Sequence, residues 1–198
     1  MAGETYYLLG CGGHARSVAD VIVGDDVTAK VVFVDPAARP DEHILGFPVV
    51  QSVPSETLGF VPAIGDNRQR EEWSGGRRLV SVISASAHVG RRAQIGDGAF
   101  VANLAHIGPE AVVGRGVIVN TAAVVEHNVT VGDFVHIAPH ATVCGGVHIG
   151  ARSVVGAGAT IRPMITVAGD VLIGAGSVVV KDIAEPGVYA GSPARRIR

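Results

Sequence analysis

Ile95-Gly96-Asp97-Gly98-Ala99-Phe100, Val101-Ala102-Asn103-Leu104-Ala105-His106 and Ile107-Gly108-Pro109-Glu110-Ala111-Val112 are three consecutive hexads of one long series. Cut every six residues from Ile83, the chain places Val or Ile first in all sixteen hexads, down to Ile173. Gly is second in half of them (Gly90, Gly96, Gly108, Gly114, Gly132, Gly150, Gly156 and Gly174). The fifth place is small or β-branched, as in Ala93, Ala99, Ala105, Val117 and Ser153. A short fixed period of this kind signals a parallel β-helix. Places five and one are two apart on a strand, so they face the same way and form the interior. Place six lies between them and points outward. Places two to four turn a corner, and glycine at place two is expected to supply backbone angles that a Cβ resists. Three hexads close one triangular coil, and each coil buries its face only against its neighbours.

The series leaves about eighty residues ahead of it, enough for a second small domain in a chain of 198. Apolar residues make up 47% of the chain, ample for a core, and the 27 glycines agree with many repeated turns. Net charge is −2 and aromatics are 5%, so neither a basic surface nor base stacking points to nucleic acid. No apolar run approaches the ~18 residues of a membrane span. Met1-Ala2-Gly3-Glu4 lacks the basic start of a signal peptide. Cys11 and Cys144 form no metal-spaced cluster, are expected to be small apolar fillers, and fit a reducing cytoplasm.

In the first eighty residues, Tyr6-Tyr7-Leu8-Leu9 reads as a buried strand ending in Gly10-Cys11-Gly12-Gly13-His14-Ala15. A helix is expected from Ala15 to Val23, with Val18, Val21 and Ile22 on one face. Val31 to Val34 is a second strand ending at Asp35, and Val49-Val50 and Phe60 to Ile64 are further short strands. Gly65-Asp66-Asn67 then turns into another helix. The pattern predicts a small Rossmann-like βαβ sheet. Gly10, Gly12 and Ala15 match the phosphate fingerprint of such folds, and Asp35 stands where a ribose or base contact belongs. Glycines let backbone amides approach a diphosphate, and the helix N-terminus favours its charge. One mononucleotide, as in a nucleotide diphosphate-sugar, fits the available length better than NAD. The expected domains are 1–80 for nucleotide-sugar binding, 81–185 for the β-helix, and 186–198 as a tail.

The repeat resembles that of hexapeptide-repeat acyltransferases. Leu9 to Ala15, Ala63 to Asn67, Asn120-Thr121, Val125-Glu126-His127, Phe134-Val135-His136-Ile137 and Ala190-Gly191-Ser192-Pro193-Ala194 extend the likeness to the whole chain. Together they resemble the sialic acid O-acetyltransferase/bacillosamine-pathway N-acetyltransferase family. Parallel crossovers are ordinarily right-handed, so the left hand of the coil rests on this resemblance alone. The resemblance implies a nucleotide-sugar on the N-terminal domain, held through Gly10, Gly12, Gly13, His14, Asp35, Gly65 and Asn67. It implies acetyl-CoA on the β-helix, a homotrimer, and a role in bacterial surface glycans.

Acetyl transfer from a thioester to an amine requires removal of a proton, stabilisation of the carbonyl oxygen, and reactants held together. Histidine is the natural base. No G-x-S-x-G elbow is present, so direct attack is favoured over an acyl-enzyme. Of eight histidines, His127 stands out: in Val125-Glu126-His127-Asn128 a charged residue replaces the usual corner glycine, and local breaks in a rule mark functional sites. The resemblance makes His127 the general base and His136 a contact of the thioester carbonyl. It places Gly156, Gly174 and neighbouring amides along the pantetheine arm, with Lys181, Arg195 and Arg196 able to meet the phosphates. The family usually carries Asp or Glu after the catalytic histidine; Asn128 stands there, offering an oxygen without full charge, while the direction of Glu126 is open.

His127 lies at a corner and His136 mid-face nine residues later, half of an eighteen-residue coil. At ~3.3 Å per strand residue each side is under about 20 Å, so the two lie on opposite sides of one prism. If both serve one site, they come from different chains. His88 and His106, eighteen apart, should stack in adjacent coils. Three readings stand beside N-acetylation of a nucleotide-linked 4-amino sugar: O-acetylation of sialic acid or a related sugar, a non-catalytic β-helix such as a carbonic-anhydrase-like metal scaffold or an assembly subunit, and an NAD-linked enzyme. No metal site is expected.

Overall fold

The computed structural model describes residues 3–53 and 59–198; Met1 and Ala2, the start of the segment read above for a leader, lie outside it. The architecture is a small Rossmann-like unit followed by a left-handed parallel β-helix. The first unit contains β1 (Thr5–Leu9), α1 (Gly13–Asp25), β2 (Lys30–Val34), β3 (His43–Ile44), β4 (Phe47–Val50), β5 (Val61–Pro62) and α2 (Asn67–Ser74). Its sheet runs β3-β4-β2-β1-β5, parallel except for the β3–β4 pair. The first helix begins two residues earlier and ends two later than expected, and buries Ala15, Val18, Ala19, Val21 and Ile22. Asp66 starts α2 by accepting the amide of Gln69 at 2.8 Å, which satisfies one of the free donors of a first turn.

From Val82 the chain coils with an eighteen-residue period: Val82 pairs Phe100, Ile118 pairs Phe100 and His136, and Val124 pairs His106 and Thr142. Three parallel sheets form the prism's faces. Places five and one line one continuous core, with Val119, Val125, Val135, Ile137 and Val143 wholly buried. Burying each such side chain contributes about 1.5–3 kcal/mol. As expected, His88 and His106 stack, 5.0 Å between centroids and 9° from parallel. Residues 186–198, read as a tail, carry two strands. Gly187–Gly191 extends one face by pairing with Val171–Ile173, and Ala194–Arg196 folds back on it.

Two sequence expectations need correction. The left-handed backbone sits at place four, not place two: every sixth residue from Arg92 to Gly176 has φ between 53° and 73°. Only five of these are Gly. Glycine at place two serves coil stacking instead. A Cβ on Gly108 would lie 2.6 Å from the amide nitrogen of His127, and one on Gly132 would lie 2.7 Å from that of Ala151. Nor is place six exposed on every face. Val82, Phe100 and Ile118 point outward yet are buried, because α1 and the first sheet lie over that face and share one apolar cluster with it.

Arg70 fastens the junction. Its guanidinium, 1% exposed, donates to the carbonyls of Gly116 (2.8 Å), Ile64 (2.9 Å) and Phe134 (2.9 Å) and to Asn67 Oδ1 (2.7 Å). Burial lowers its pKa to about 10, still well above neutrality. Asn67 in turn donates to the carbonyls of Arg152 and Ser153. Around this knot Arg68 and Arg152 both meet Asp170 at 2.8 Å. Among the described residues no helix is long and apolar enough to cross a membrane.

Candidate active site

At the carboxyl end of β1 the chain turns through Gly10, whose φ of 100° suits glycine. A Cβ there would also lie 2.8 Å from Ile64 Cγ1. Gly12 precedes α1 with no side-chain cap, and both Gly12 and Gly13 face open space. The first amides of α1 are therefore available to an anion. A cavity of about 460 Å³ opens here, lined by Gly10, Gly12, Gly13, His14, Asp35, Gly65 and Trp73 among others. The sequence-expected substrate residues of the glycine loop, with Asp35 and Gly65, thus meet in one place. Cys11 is more than filler: its thiol donates to Asp35 at 3.1 Å, and burial first, with that carboxylate second, raises its pKa to about 11.

A second cavity of about 380 Å³ shares Gly65 and Asp66 with the first and reaches His136, Asn67, Arg152 and Asp170. The Asn67 amide is committed to the junction with both its oxygen and its nitrogen. His14 packs edge-on against Phe100 at 5.2 Å, and its ring lies 6.3 Å from that of His136. Its Nε2 is buried and has no hydrogen-bond partner among the described residues. Desolvation holds the pKa of His14 at about 3 and that of His136 at about 4, so both are neutral at pH 7. Asn120 fixes the tautomer of His136. Its Oδ1 accepts the Thr121 amide at 2.8 Å, which turns its Nδ2 toward His136 Nε2 at 3.1 Å. Nε2 is then the acceptor and Nδ1 carries the proton.

His127 lies at the corner between the other two faces, between Val124–Val125 and Thr130–Val131. It is exposed. Its Nδ1 meets Asn128 Oδ1 at 3.0 Å. Its Nε2 edge lies over the next coil, where a Cβ on Gly145 would fall 2.6 Å from Nε2 and Cε1. The Glu126 carboxylate turns to the backbone amide of His127, at 3.3 Å. Asn128 Nδ2 donates to Glu110 Oε2 at 3.2 Å, one coil away, and Glu110 pairs with Arg92 at 3.3 Å.

Toward the C-terminus, Lys181 and Arg195 line a groove of about 260 Å³ with Tyr189 and Arg196. Arg196 is drawn to Glu185 at 2.7 Å. The amides of Gly156 and Gly174 donate to Ile173 and Tyr189 in the ladder. These two N–H groups, expected along a pantetheine arm, are therefore already committed to the coil. Sequence reading passed over Arg70, Trp73, Glu110 and Gly145 and gave Asn120 no role. Two of these carried a signal: Asn120 breaks the glycine place as Glu126 does, and Glu110 stands eighteen residues before Asn128. Among the described residues no group of three or more His, Cys, Asp or Glu is gathered for a metal.

Comparison with known proteins agrees with both units. Residues 6–75 match the PglD N-terminal domain, and residues 128–163 match the bacterial transferase hexapeptide, six repeats. The acetyltransferase domain of PglB from Neisseria gonorrhoeae is 35% identical, covers 98% of this chain and 100% of its own, and superposes with a TM-score of 0.91. It is also solved in complex with acetyl coenzyme A. PerB from Caulobacter crescentus, in complex with CoA and GDP-perosamine, is 31% identical over 99% of this chain and 98% of its own, with a TM-score of 0.84. WeeI from Acinetobacter baumannii, 22% identical over 98% of this chain and 100% of its own, shares the fold with a TM-score of 0.90. The chain belongs to the family of acetyl-CoA-dependent, hexapeptide-repeat sugar N-acetyltransferases that includes the PglB acetyltransferase domain and perosamine N-acetyltransferase.

Proposed function

We propose that this protein acetylates the amino group of a nucleotide-linked 4-amino sugar by direct attack, with His127 as general base, in a homotrimer whose active sites lie between subunits. The observation that carries this reading is the cavity around the uncapped start of α1, with Asp35 and His14 in its lining. It suits a diphosphate and a polar acceptor. PerB, the relative with GDP-perosamine bound, supports the choice of ligand.

In this reading Gly10, Gly12 and Gly13 hold the diphosphate, and Gly65 borders the sugar. Asn128 orients the His127 ring, and Glu126 braces the backbone of that corner. The ammonium first gives one proton to solvent; as the neutral amine then bonds to the thioester carbon, His127 takes a second proton from its nitrogen. The C–S bond then breaks, and the proton passes to the departing thiolate. His136 offers Nδ1–H to the carbonyl oxygen. Lys181 and Arg195 meet the phosphates of CoA. Since His127 and His136 occupy opposite sides of one prism, the base reaches the acceptor from the adjoining subunit.

The test is thiol release from acetyl-CoA with UDP-, GDP- and dTDP-4-amino sugars. We expect turnover with one of the three. Silence across the panel with turnover of free sialic acid transfers the function to O-acetylation. Mixing inactive His127→Ala and His136→Ala proteins should regenerate activity in mixed trimers. No recovery despite verified subunit exchange overturns the shared site.

A further inference from the structure

We propose that Glu110 is a positioning residue that sets the tautomer of His127 through the side-chain amide of Asn128; this rests on the reading of His127 as the base. An asparagine beside a histidine is ambiguous. It can present oxygen to Nδ1, which makes Nδ1 the donor and leaves the Nε2 lone pair free. Rotated by 180°, it presents its NH2 group, which makes Nδ1 the acceptor and puts the proton on Nε2, where a base must be empty. A carboxylate in the same place has no such choice, because it only accepts.

Here the choice is made one coil away. Ionised Glu110 is acceptor-only, so the Asn128 group facing it at 3.2 Å is the NH2. Asn128 Oδ1 therefore faces His127 Nδ1 at 3.0 Å. Nδ1 carries the proton, and Nε2, directed over Gly145, is the free nitrogen. Arg92, a further coil away at 3.3 Å, holds Glu110 from the other side. The relay exists because Arg92, Glu110 and Asn128 are eighteen residues apart and occupy the same corner place in successive coils, with φ of 62°, 60° and 57°. The Asp or Glu that the family's sequence pattern usually places after the histidine is thus supplied at second hand, through an amide.

The test compares Glu110→Ala with the double variant Glu110→Ala/Asn128→Asp. Ala122 occupies the equivalent corner place at φ 53°, so alanine is accommodated there. In Glu110→Ala the amide is free to rotate. We expect kcat to fall about tenfold or more, with KM for acetyl-CoA and for the nucleotide-sugar within about twofold. ¹⁵N NMR of histidine-labelled protein should show the Nε2–H tautomer of His127 gaining population. The double variant restores an acceptor-only neighbour and should recover most of the lost kcat. A Glu110→Ala protein with native kcat and tautomer ratio overturns the relay, as does a double variant no better than the single. If His127→Ala retains full activity, it is the base assignment that fails, whereas an unchanged NMR tautomer ratio in Glu110→Ala overturns the relay without reference to turnover.

Discussion

At the scale of single residues, the His127 corner depends on two neighbours one coil away on either side. Glu110 acts from one side through Asn128, and Gly145 leaves room on the other. A methyl group at Gly145 would press on the ring edge that bears Nε2, which is a movable side chain rather than backbone. Gly145→Ala should therefore swing the imidazole off its line and reduce kcat about tenfold, while thermal stability stays within about 1 kcal/mol of the native protein. Steady-state kinetics beside a melting curve checks this. Native kcat would show that the ring does not need that space. His127 was marked in the sequence as a candidate, because Glu126-His127-Asn128 interrupts a glycine rule that half the hexads keep. Its partners were less so: their relation is a spacing of eighteen along the chain, and a spacing carries no side-chain direction.

At the scale of the coil, the hexad assigns different tasks to different glycines. Place two must let adjacent coils approach, and place four must hold a left-handed backbone. These tasks separate under mutation. At Gly132, place two, an added Cβ meets the Ala151 backbone at 2.7 Å, and backbone cannot step aside cheaply. At Gly158, place four with φ 65°, an added Cβ meets nothing within 4 Å. Gly132→Ala is expected to cost about 2–3 kcal/mol from forced displacement, and Gly158→Ala about 1 kcal/mol from the left-handed angle alone. Denaturant titration of both variants checks the order, and a reversal would mean that angle rather than approach governs coil stacking. Which places face inward was evident from the period of two within each strand. Which place turns the corner was not, because Ala122, Leu104 and Phe134 adopt positive φ without any glycine to announce it.

At the scale of the molecule, the junction of the two units rests on buried polar groups as well as apolar ones. His14 and His136 are neutral in the folded protein, with pKa values near 3 and 4 against 6.5 for an unrestrained imidazole. Below pH 6.5 the unfolded chain takes up protons that the native junction refuses. Stability is therefore complete above about pH 6.5 and declines as pH falls toward 4. The loss should amount to a few kcal/mol over that window, of the order of one per pH unit per histidine. Melting temperatures across pH 7 to 4 test this, and His136→Asn should flatten part of the curve. A flat native profile would mean that both rings have access to water.

The sequence by itself determined the β-helix, its register and its inward residues, since a six-step repeat of Val and Ile has one way to bury itself. It also marked the glycine loop and His127, since each breaks or completes a local pattern. The tertiary structure alone decided which prism face the first unit covers, and hence that Phe100, Ile118 and His136 are sheltered rather than exposed. It alone brought Glu110, Asn128 and Gly145 around one imidazole, and gathered six acceptor atoms on Arg70. The physical reason is common to all of these. Period and propensity act along the chain, whereas contacts between coils and between units depend on where distant segments come to rest, and the direction of a side chain is fixed only by what it meets there.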